Sequence, residues 1–425
     1  MNRLMKKLKF LYLSTTDTPL SEHAWSSYLG LPEDRFEKRI VVFQSKYKLA
    51  PSLISNWLVL KVVNQLLPLY RRLYALIHFH VRFSLNMEDN SLYSYYQNEF
   101  LPDLSSFILR KIKGYTPDVI VICWTPNFLT SKTIRSLHEK TGAWLNFCFI
   151  DEQHMTGGCH YPSGCVGYQN NCMDCPALSS GKIFAHYSLM NKIDNLKGLP
   201  ISISSTVYDG KLASMSALFK DALILTGTAV PVVKYFEKSE SRKAFNIDDR
   251  AFVIFFGCTH VYHKRKGAFY ALDAVRKFCT KYENIVFLVA GNFSEEDQRL
   301  FDGTNALFTG YLGQDDMFRA YCASDVFLST TIADSGPMMV NFSIALGIPV
   351  VAFPVGVADT LVKSGETGYL AKFQDVDDLV EGLECIYSLS PQEKDRMREK
   401  CLMSFKDIDT TPWYDKLANH LLLNN

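Results

Sequence analysis

Short apolar runs alternate with amphipathic stretches along the whole chain. In the first half, the runs at residues 10–13, 119–124 and 144–150 are rich in β-branched and aromatic side chains. Such runs are typical of strands that are covered on both faces of a sheet. Residues 130–141 have helical composition and are followed by Gly142, a common helix stop. The pattern predicts parallel strands with helical crossovers.

The second half repeats this alternation more clearly. Apolar runs at residues 252–256, 284–290, 325–328 and 348–353 predict strands, and residues 337–346 predict a helix between the last two. Two successive series of this kind predict an α/β fold with two doubly wound, Rossmann-like domains that face a cleft. In such domains ligands bind at the carboxyl ends of the strands.

The join between the two series sets the expected domain boundaries. Residues 229–236 connect the first series to the second. We therefore predict an N-terminal domain over residues 1–228 and a C-terminal domain over residues 229–405. Residues 406–425 are predicted to form a helix that packs back on the first domain.

Composition narrows the functional classes. The 425 residues carry a formal net charge of +1, which argues against a nucleic-acid partner held by a strong basic field. No run reaches the ~20 apolar residues of a membrane span. Residues 52–80 come closest, but they are amphipathic at helical period, with Lys61, Arg71 and Arg72 on the polar side. We predict either a helix packed on a domain core or a peripheral contact with an anionic membrane.

The start of the chain and the cysteine usage bear on location. The basic first residues run into an apolar strand that ends at Ser14 without a small-residue cleavage site, so no signal peptide is predicted. Eleven cysteines without a secretion signal fit a reducing compartment. We predict a cytoplasmic protein, with a peripheral position on the inner face of the plasma membrane if the amphipathic segment binds lipid.

Two stretches of the second half contain the residue types that hold phosphate. Gly257 ends a predicted strand, and residues 263–267 (His-Lys-Arg-Lys-Gly) follow before a helix. A glycine there lets a ligand approach the backbone, and neighbouring cations can hold a diphosphate, although a basic run is more often only a solvated loop. Residues 334–337 (Asp-Ser-Gly-Pro) open the next predicted helix. The free amides of such a helix start attract phosphate, although capping alone also explains these residues.

The order of the motifs in the C-terminal domain resembles that of the family 4 retaining glycosyltransferases, which have the GT-B fold. The matching stretches are residues 256–257, 265–267, 289–291, 309–312, 323–328, 345–351 and 366–370. Because they follow one another in the family's order, the resemblance is more specific than any single motif.

The resemblance implies a site for a nucleotide-sugar donor, a UDP- or GDP-sugar. It implies that Arg265 and Lys266 neutralise the diphosphate, while Asp334 contacts the donor sugar. The implied donor-binding residues are Gly257, Arg265, Lys266, Gly310, Tyr311, Leu312, Asp334, Ser335, Gly336 and Pro337, with the turn at 310–312 near the base. No catalytic metal is implied, because the cations and the helix start stabilise the leaving diphosphate. Retention implies that the leaving phosphate assists the acceptor hydroxyl, so no protein nucleophile is expected.

The chain departs from the family at its second acidic position. The family has two carboxylates seven residues apart; here Asp334 occupies the first position and Phe342 the second. A phenyl ring accepts no hydrogen bond from ribose hydroxyls, and Asn341 lies about 100° away around the helix. The N-terminal loop over residues 15–24, which includes His23, also lacks the family's glycines. These departures lower the expected donor affinity.

Residues 156–178 form a cysteine-rich segment that resembles one in the colanic-acid and capsule-type branch of the family. There the segment follows a strand that ends in His-Asp. In this chain Asp151 matches the aspartate, Ile150 replaces the histidine, and His154 lies nearby. The resemblance makes Asp151, His154 and Asp334 the candidate catalytic residues.

The four cysteines of this segment allow three states. Cys159, Cys165, Cys172 and Cys175 lie within 17 residues and can supply a tetrahedral structural zinc site, with His160 as a further candidate ligand. Two disulfides or plain reduced thiols are the alternatives. In each state the segment is expected to shape the acceptor side of the protein.

These features predict a retaining, hexosyltransferase-type enzyme of cell-surface polysaccharide synthesis, such as lipopolysaccharide or capsule synthesis. It would move a sugar from a nucleotide diphosphate donor to a growing, lipid-linked glycan. The alternative is a non-catalytic relative that acts as a binding or assembly partner, which Phe342 favours. A sugar-nucleotide epimerase of similar architecture is disfavoured, because such enzymes lack the paired Arg-Lys-Gly and Asp-Ser-Gly-Pro motifs.

Overall fold

The computed structural model describes residues 7–16, 30–44, 52–54, 57–79, 86–87, 90–96, 98–227, 231–336, 338–406 and 411–423. His23 with most of its loop, and Pro337, lie outside this part. The chain divides into two compact units. The first comprises Met1–Ser205, Asp209–Gly227 and Thr411–Asn425, and the second comprises Thr206–Tyr208 and Thr228–Thr410.

The first unit is built on a parallel sheet. Its strands in chain order are β1 (Leu8–Thr16), β2 (Phe36–Gln44), β3 (Ser52–Ile54), β4 (Asn86–Met87), β5 (Val119–Ile122), β6 (Trp144–Cys148), β7 (Leu178–Ser180), β8 (Ile201–Ser205) and β9 (Leu223–Thr226). Within the described residues, seven of these pair in the order β3-β2-β1-β5-β6-β8-β9, all parallel. The remaining two, β4 and β7, form a short antiparallel ribbon. The continuous apolar runs thus do form buried parallel strands, as predicted.

The second unit has a sheet of the same kind. Its strands are β10 (Phe252–Gly257), β11 (Ile285–Ala290), β12 (Ala306–Gly310), β13 (Val326–Ser329), β14 (Val350–Ala352) and β15 (Gly368–Leu370). They pair in parallel in the order β12-β11-β10-β13-β14-β15. Alternate residues of β10 enter two separate apolar cores, with Ile254 and Phe256 on one face and Val253 and Phe255 on the other. The sheet is therefore buried on both faces, as doubly wound folds require.

Helices connect these strands and cover both faces of each sheet. In chain order they are α1 (Trp57–Phe79), α2 (Asn90–Tyr93), α3 (Ser105–Lys111), α4 (Ser131–Thr141), α5 (Ile183–Leu196), α6 (Val207–Met215), α7 (Lys238–Ala244), α8 (Ala268–Cys279), α9 (Glu295–Arg299), α10 (Gln314–Ala323), α11 (Met338–Ala345), α12 (Ala358–Leu361), α13 (Val376–Tyr387), α14 (Pro391–Met403) and α15 (Trp413–Leu423). None of the helices in the described part is both long and apolar enough to cross a bilayer.

The last helix, α15, belongs to the first unit. The ring of Trp413 lies edge-on to Phe10 of β1, with centroids 6.1 Å apart. The ammonium of Lys416 donates to the carbonyl of Thr226 at the end of β9, at 2.7 Å. The chain therefore returns to the first unit after completing the second.

Strand order fixes where a ligand can enter the second unit. From β10 the chain adds β11 and β12 on one side, and then β13, β14 and β15 on the other. The helices that follow β10 and β13 thus leave in opposite directions and open a crevice at the carboxyl ends of these two strands. Gly257 ends β10 and Ser329 ends β13.

Candidate functional site

A tight turn after β10 is locked against the end of β13. Residues Lys264–Lys266 form one turn of 3-10 helix that ends at Gly267, whose φ is 67°. A Cβ at Gly267 would stand 1.9 Å from the carbonyl oxygen of Thr330, and the Thr330 hydroxyl donates to the Gly267 carbonyl at 2.8 Å. Only glycine fits this backbone and this approach. The lock sets the position of the two cations that precede it.

Those cations meet a carboxylate at the switch point of the sheet. Arg265 Nη1 lies 2.6 Å and Lys266 Nζ 2.5 Å from Asp334 Oδ2. Arg265 also donates to the carbonyl of Ala333 at 2.9 Å. Burial alone would raise the pKa of Asp334, but Lys266 and Arg265 outweigh it and lower that pKa to about 2. The carboxylate stays ionised, so this donor-site cluster of Arg265, Lys266 and Asp334 carries a net charge of +1.

The helix start beside the donor-site cluster contains a buried hydroxyl group that makes no hydrogen bond within the described residues. The backbone amide of Gly336 donates to Asp334 Oδ1 at 3.2 Å, which shapes the entry to α11. Ser335 is buried, and its hydroxyl has no hydrogen-bond partner within the described part of the chain. Met339 packs over Gly257: a Cβ on that glycine would lie 2.6 Å from the Met339 Cε. The structure therefore brings Gly257, the cations and the start of α11 together.

The end of β12 borders a separate, open groove. Gly310 has φ 71°, Tyr311 is 78% exposed, and Leu312 packs into an apolar core. The groove is lined by His260, Gly291, Asn292, Phe293, Ser294, Asp297, Gln298, Phe308 and Gly310. Sequence reasoning placed the Gly310 turn near a ligand but missed His260 and Asn292. A polar residue after each of two neighbouring parallel strands was the available signal.

The turn of α11 that holds an acid in the family is apolar here. Phe342 packs edge-on against Phe318 of α10, with ring centroids 5.4 Å apart. Asn341 is buried; its amide nitrogen lies 3.4 Å from the Met338 sulfur, and its carbonyl oxygen has no partner within the described residues. Phe342 is thus a packing residue of α11.

In the first unit, Asp151 and His154 follow β6 and are both buried. Asp151 Oδ2 lies 2.5 Å from Nδ1 of His160, which is also buried. His154 Nε2 hydrogen-bonds the carbonyl of Cys123 at 2.8 Å, and its ring lies edge-on to Phe147. Burial lowers the pKa of His154 to about 4, so this ring is neutral at pH 7. The structure pairs Asp151 with His160 and packs His154 in the core.

The four clustered cysteines lie beside this pair. Cys159, Cys165, Cys172 and Cys175 are all free thiols and line one small cavity. Burial raises the pKa of Cys159 well above its usual value and that of Cys172 to about 11. His160 does not line this cavity.

Comparison with known proteins shows a local family match. Residues 237–401 match the family model described as glycosyl transferases group 1. Sulfoquinovosyl transferase SQD2 of Arabidopsis thaliana is 26% identical over 191 residues, which are 42% of this chain and 38% of that protein. An uncharacterized 41.2 kDa protein in the cps region of Klebsiella pneumoniae is 22% identical over 217 residues, 50% of this chain and 59% of that protein. The chain thus matches less than two thirds of the length of either relative.

Solved structures are similar over nearly the whole chain. Sucrose-phosphate synthase from Thermosynechococcus elongatus gives a TM-score of 0.64 at 13% identity, covering 99% of this chain and 100% of that one. Anabaena HepE, solved in complex with UDP-glucose, gives 0.60 at 14% identity, covering 97% and 99%. At such low identity the likeness shows the fold, and it confirms the predicted GT-B type of α/β fold. The chain therefore has the GT-B fold, and its residues 237–401 match the family model of the glycosyl transferases group 1.

Proposed function

We propose that the chain is a retaining glycosyltransferase that binds a nucleotide diphosphate sugar at the donor-site cluster. One observation carries the proposal: Arg265 and Lys266 are fixed by a glycine lock at the switch point, next to the start of α11. Paired, largely buried cations beside a helix start form a site for a diphosphate.

The same arrangement explains how the sugar would leave. When the bond between the sugar and the diphosphate breaks, negative charge grows on the phosphate oxygens. Arg265 and Lys266 offset that charge, and their positions are set before the donor binds. Asp334, which remains ionised, then faces the sugar. No metal is needed for this step, and the leaving phosphate itself assists the acceptor hydroxyl on the same face.

The known relatives support the donor and pathway classes. HepE was solved with UDP-glucose, which supports a UDP-sugar donor. The Klebsiella relative lies in a cps region, which supports a role in polysaccharide synthesis. Arabidopsis SQD2 is a sulfoquinovosyl transferase, which supports sugar transfer as the reaction.

A peripheral membrane contact fits one face of α1. Leu66, Leu69, Leu73, Leu76 and Ile77 are each half or more exposed and follow one another at helical spacing. The other face packs through Ala75 against Phe100 and Phe184. An exposed apolar stripe beside the exposed Arg72 suits the surface of an anionic bilayer. We propose that α1 holds a cytoplasmic protein on the inner face of the plasma membrane, where a lipid-linked glycan is the acceptor.

Cosedimentation with anionic vesicles tests this contact. Leu69→Glu and Leu73→Glu together are expected to abolish binding, because they place charge in the stripe. The control is Leu402→Glu, an exposed leucine of α14. Equal binding of the wild type and the double variant would exclude α1 as the membrane contact.

The donor proposal is tested by calorimetric titration of the full chain with UDP, GDP and a panel of their sugars. A radiolabelled-transfer assay with the same donors and membrane extracts as acceptor source follows. We expect one donor to bind and to transfer its sugar with retention. If no nucleotide or nucleotide sugar binds, the proposal that the chain is a glycosyltransferase is refuted.

The second candidate is a non-catalytic relative, and Phe342 is the observation that favours it. With Phe342 packed on Phe318, the turn has no carboxylate for ribose hydroxyls. Phe342→Glu is expected to tighten UDP binding severalfold if the site still accepts a donor. A variant that binds UDP no better than the wild type, while remaining folded, would indicate that the site has lost its donor role.

A further inference from the structure

The cysteine-rich segment is buried although it has little regular structure. Within residues 156–178, one 3-10 turn (Gly167–Gln169) precedes β7, and most of the remaining backbone forms bends and turns. Cys172 and Cys175 are nevertheless less than a tenth exposed. Cys172 also has φ 51°, a backbone conformation that side-chain-bearing residues rarely adopt. Something other than helix or strand hydrogen bonds must hold this segment in place.

All four cysteines of the segment face the same interior space. Cys159, Cys165, Cys172 and Cys175 line one cavity. The sulfurs of Cys165 and Cys172 lie 3.4 and 3.7 Å from the point where a Cβ on Gly167 would stand. A side chain at position 167 would therefore intrude between two of the thiols.

A backbone amide points at one of these sulfurs. The amide of Gly167 donates to Cys165 Sγ at 3.3 Å. N–H groups aimed at sulfur stabilise thiolates, and such outer contacts orient metal ligands.

A buried cation lies within electrostatic reach of the same group. Lys192 interacts first with the buried Glu99 and then with Cys172 and Cys159, and its ammonium donates to the carbonyls of Gln153 and Thr156 at 2.8 and 2.9 Å. Four thiolates around one divalent cation carry a net charge of −2. Lys192 offsets part of that charge.

We propose that Cys159, Cys165, Cys172 and Cys175 bind one Zn²⁺ as a structural tetrathiolate site. Zn²⁺ displaces four protons and draws the sulfurs to about 2.3 Å from the metal. In the structure the thiols are separate, and nowhere in its described part do three metal-ligating side chains already stand in coordinating positions. Closing the site thus requires the thiols to turn inward around the shared cavity. His160 is not assigned as a ligand, because it does not line the cavity.

Zinc content of the full-length protein tests this proposal directly. We expect one zinc per chain by plasma mass spectrometry after exhaustive dialysis. Cys175→Ser is expected to lose the metal. Cys385→Ser is the matched control, since this exposed cysteine of α13 lies outside the segment, and it should keep one zinc per chain.

Thiol titration of the wild type in denaturant without reductant separates the alternatives, even if Cys175→Ser does not fold. Zinc-bound protein should give all eleven thiols once a chelator is added. Eleven thiols with no zinc would overturn the proposal in favour of reduced cysteines. Four fewer thiols with no zinc would overturn it in favour of two disulfides. Replacement of zinc by Co²⁺ should add sulfur-to-cobalt charge-transfer absorption, and its absence would also refute tetrathiolate binding.

Discussion

Lys266→Ala removes one of the two cations that face Asp334 and leaves the backbone lock at Gly267 intact. In the proposed donor complex the Lys266 ammonium binds a phosphate oxygen. A hydrogen bond to a charged group contributes roughly 1.5–3 kcal/mol. The Lys266 side chain is 28% exposed, and it already pairs with Asp334 when no donor is bound. Both facts place the net loss at the lower end of this range, about 1.5–2 kcal/mol.

That loss corresponds to roughly 10–30-fold weaker binding of UDP, which calorimetric titration can measure. Lys264→Ala is the matched control, because it removes the same charge from the same turn at an exposed position. We expect Lys264→Ala to change affinity less than threefold, and the difference to persist at higher salt, where long-range attraction is screened. Equal effects of the two substitutions would show that UDP senses only overall charge, and would refute direct contact by Lys266.

Three further outcomes are expected. Gly267→Ala should lower the free energy of unfolding by more than ~2 kcal/mol in urea titrations, because of its positive φ and the Thr330 carbonyl oxygen 1.9 Å from the new Cβ. The control Gly303→Ala also has positive φ but open space around the new Cβ, and it should lower the free energy of unfolding by only ~1 kcal/mol. Equal losses for the two variants would contradict the lock at Gly267. Folding lowers the pKa of His154 to about 4, so the free energy of unfolding is unaffected by this ring above pH ~6.5 and falls by about 3 kcal/mol as the pH drops towards 4. His154→Gln should remove this pH dependence of stability. An unchanged pH dependence would contradict a neutral, buried ring. Tyr311→Ala should weaken UDP binding severalfold without changing stability, since Tyr311 is 78% exposed; unchanged binding would place the base elsewhere.

The strands that sequence predicts are those whose apolar side chains are continuous. β10, β11 and β13 are of this kind, and each is found within one or two residues of its predicted bounds. β8 escaped prediction because three of its five residues are serines. Ser202 and Ser204 are buried, and both hydrogen-bond to Asn146 of β6. Polar groups that satisfy one another inside a sheet have no apolar signature in sequence.

In the candidate site, too, some features were predictable from the sequence and others were not. Motif order in the sequence pointed to Arg265, Lys266 and Asp334 as separate contributors. Both cations contact the same carboxylate oxygen of Asp334 only because β10 and β13 lie side by side in the sheet. The sequence does not reveal this contact, because the cations and Asp334 are almost seventy positions apart. The pairing of Asp151 with His160 was missed because His160 was weighed only as a metal ligand.

Asp334 gives the donor-site cluster a threshold for ligand charge. With no donor present, this carboxylate occupies both cations, so an incoming anion must compete with it for them. A singly charged anion gains little by the exchange, whereas a diphosphate, with more charge and more oxygens, can displace it. The same competition works in reverse after sugar transfer, when Asp334 can take back the cations and help the spent nucleotide to leave. The carboxylate would then act as an internal stand-in for substrate, and turnover would depend on how evenly the two anions compete.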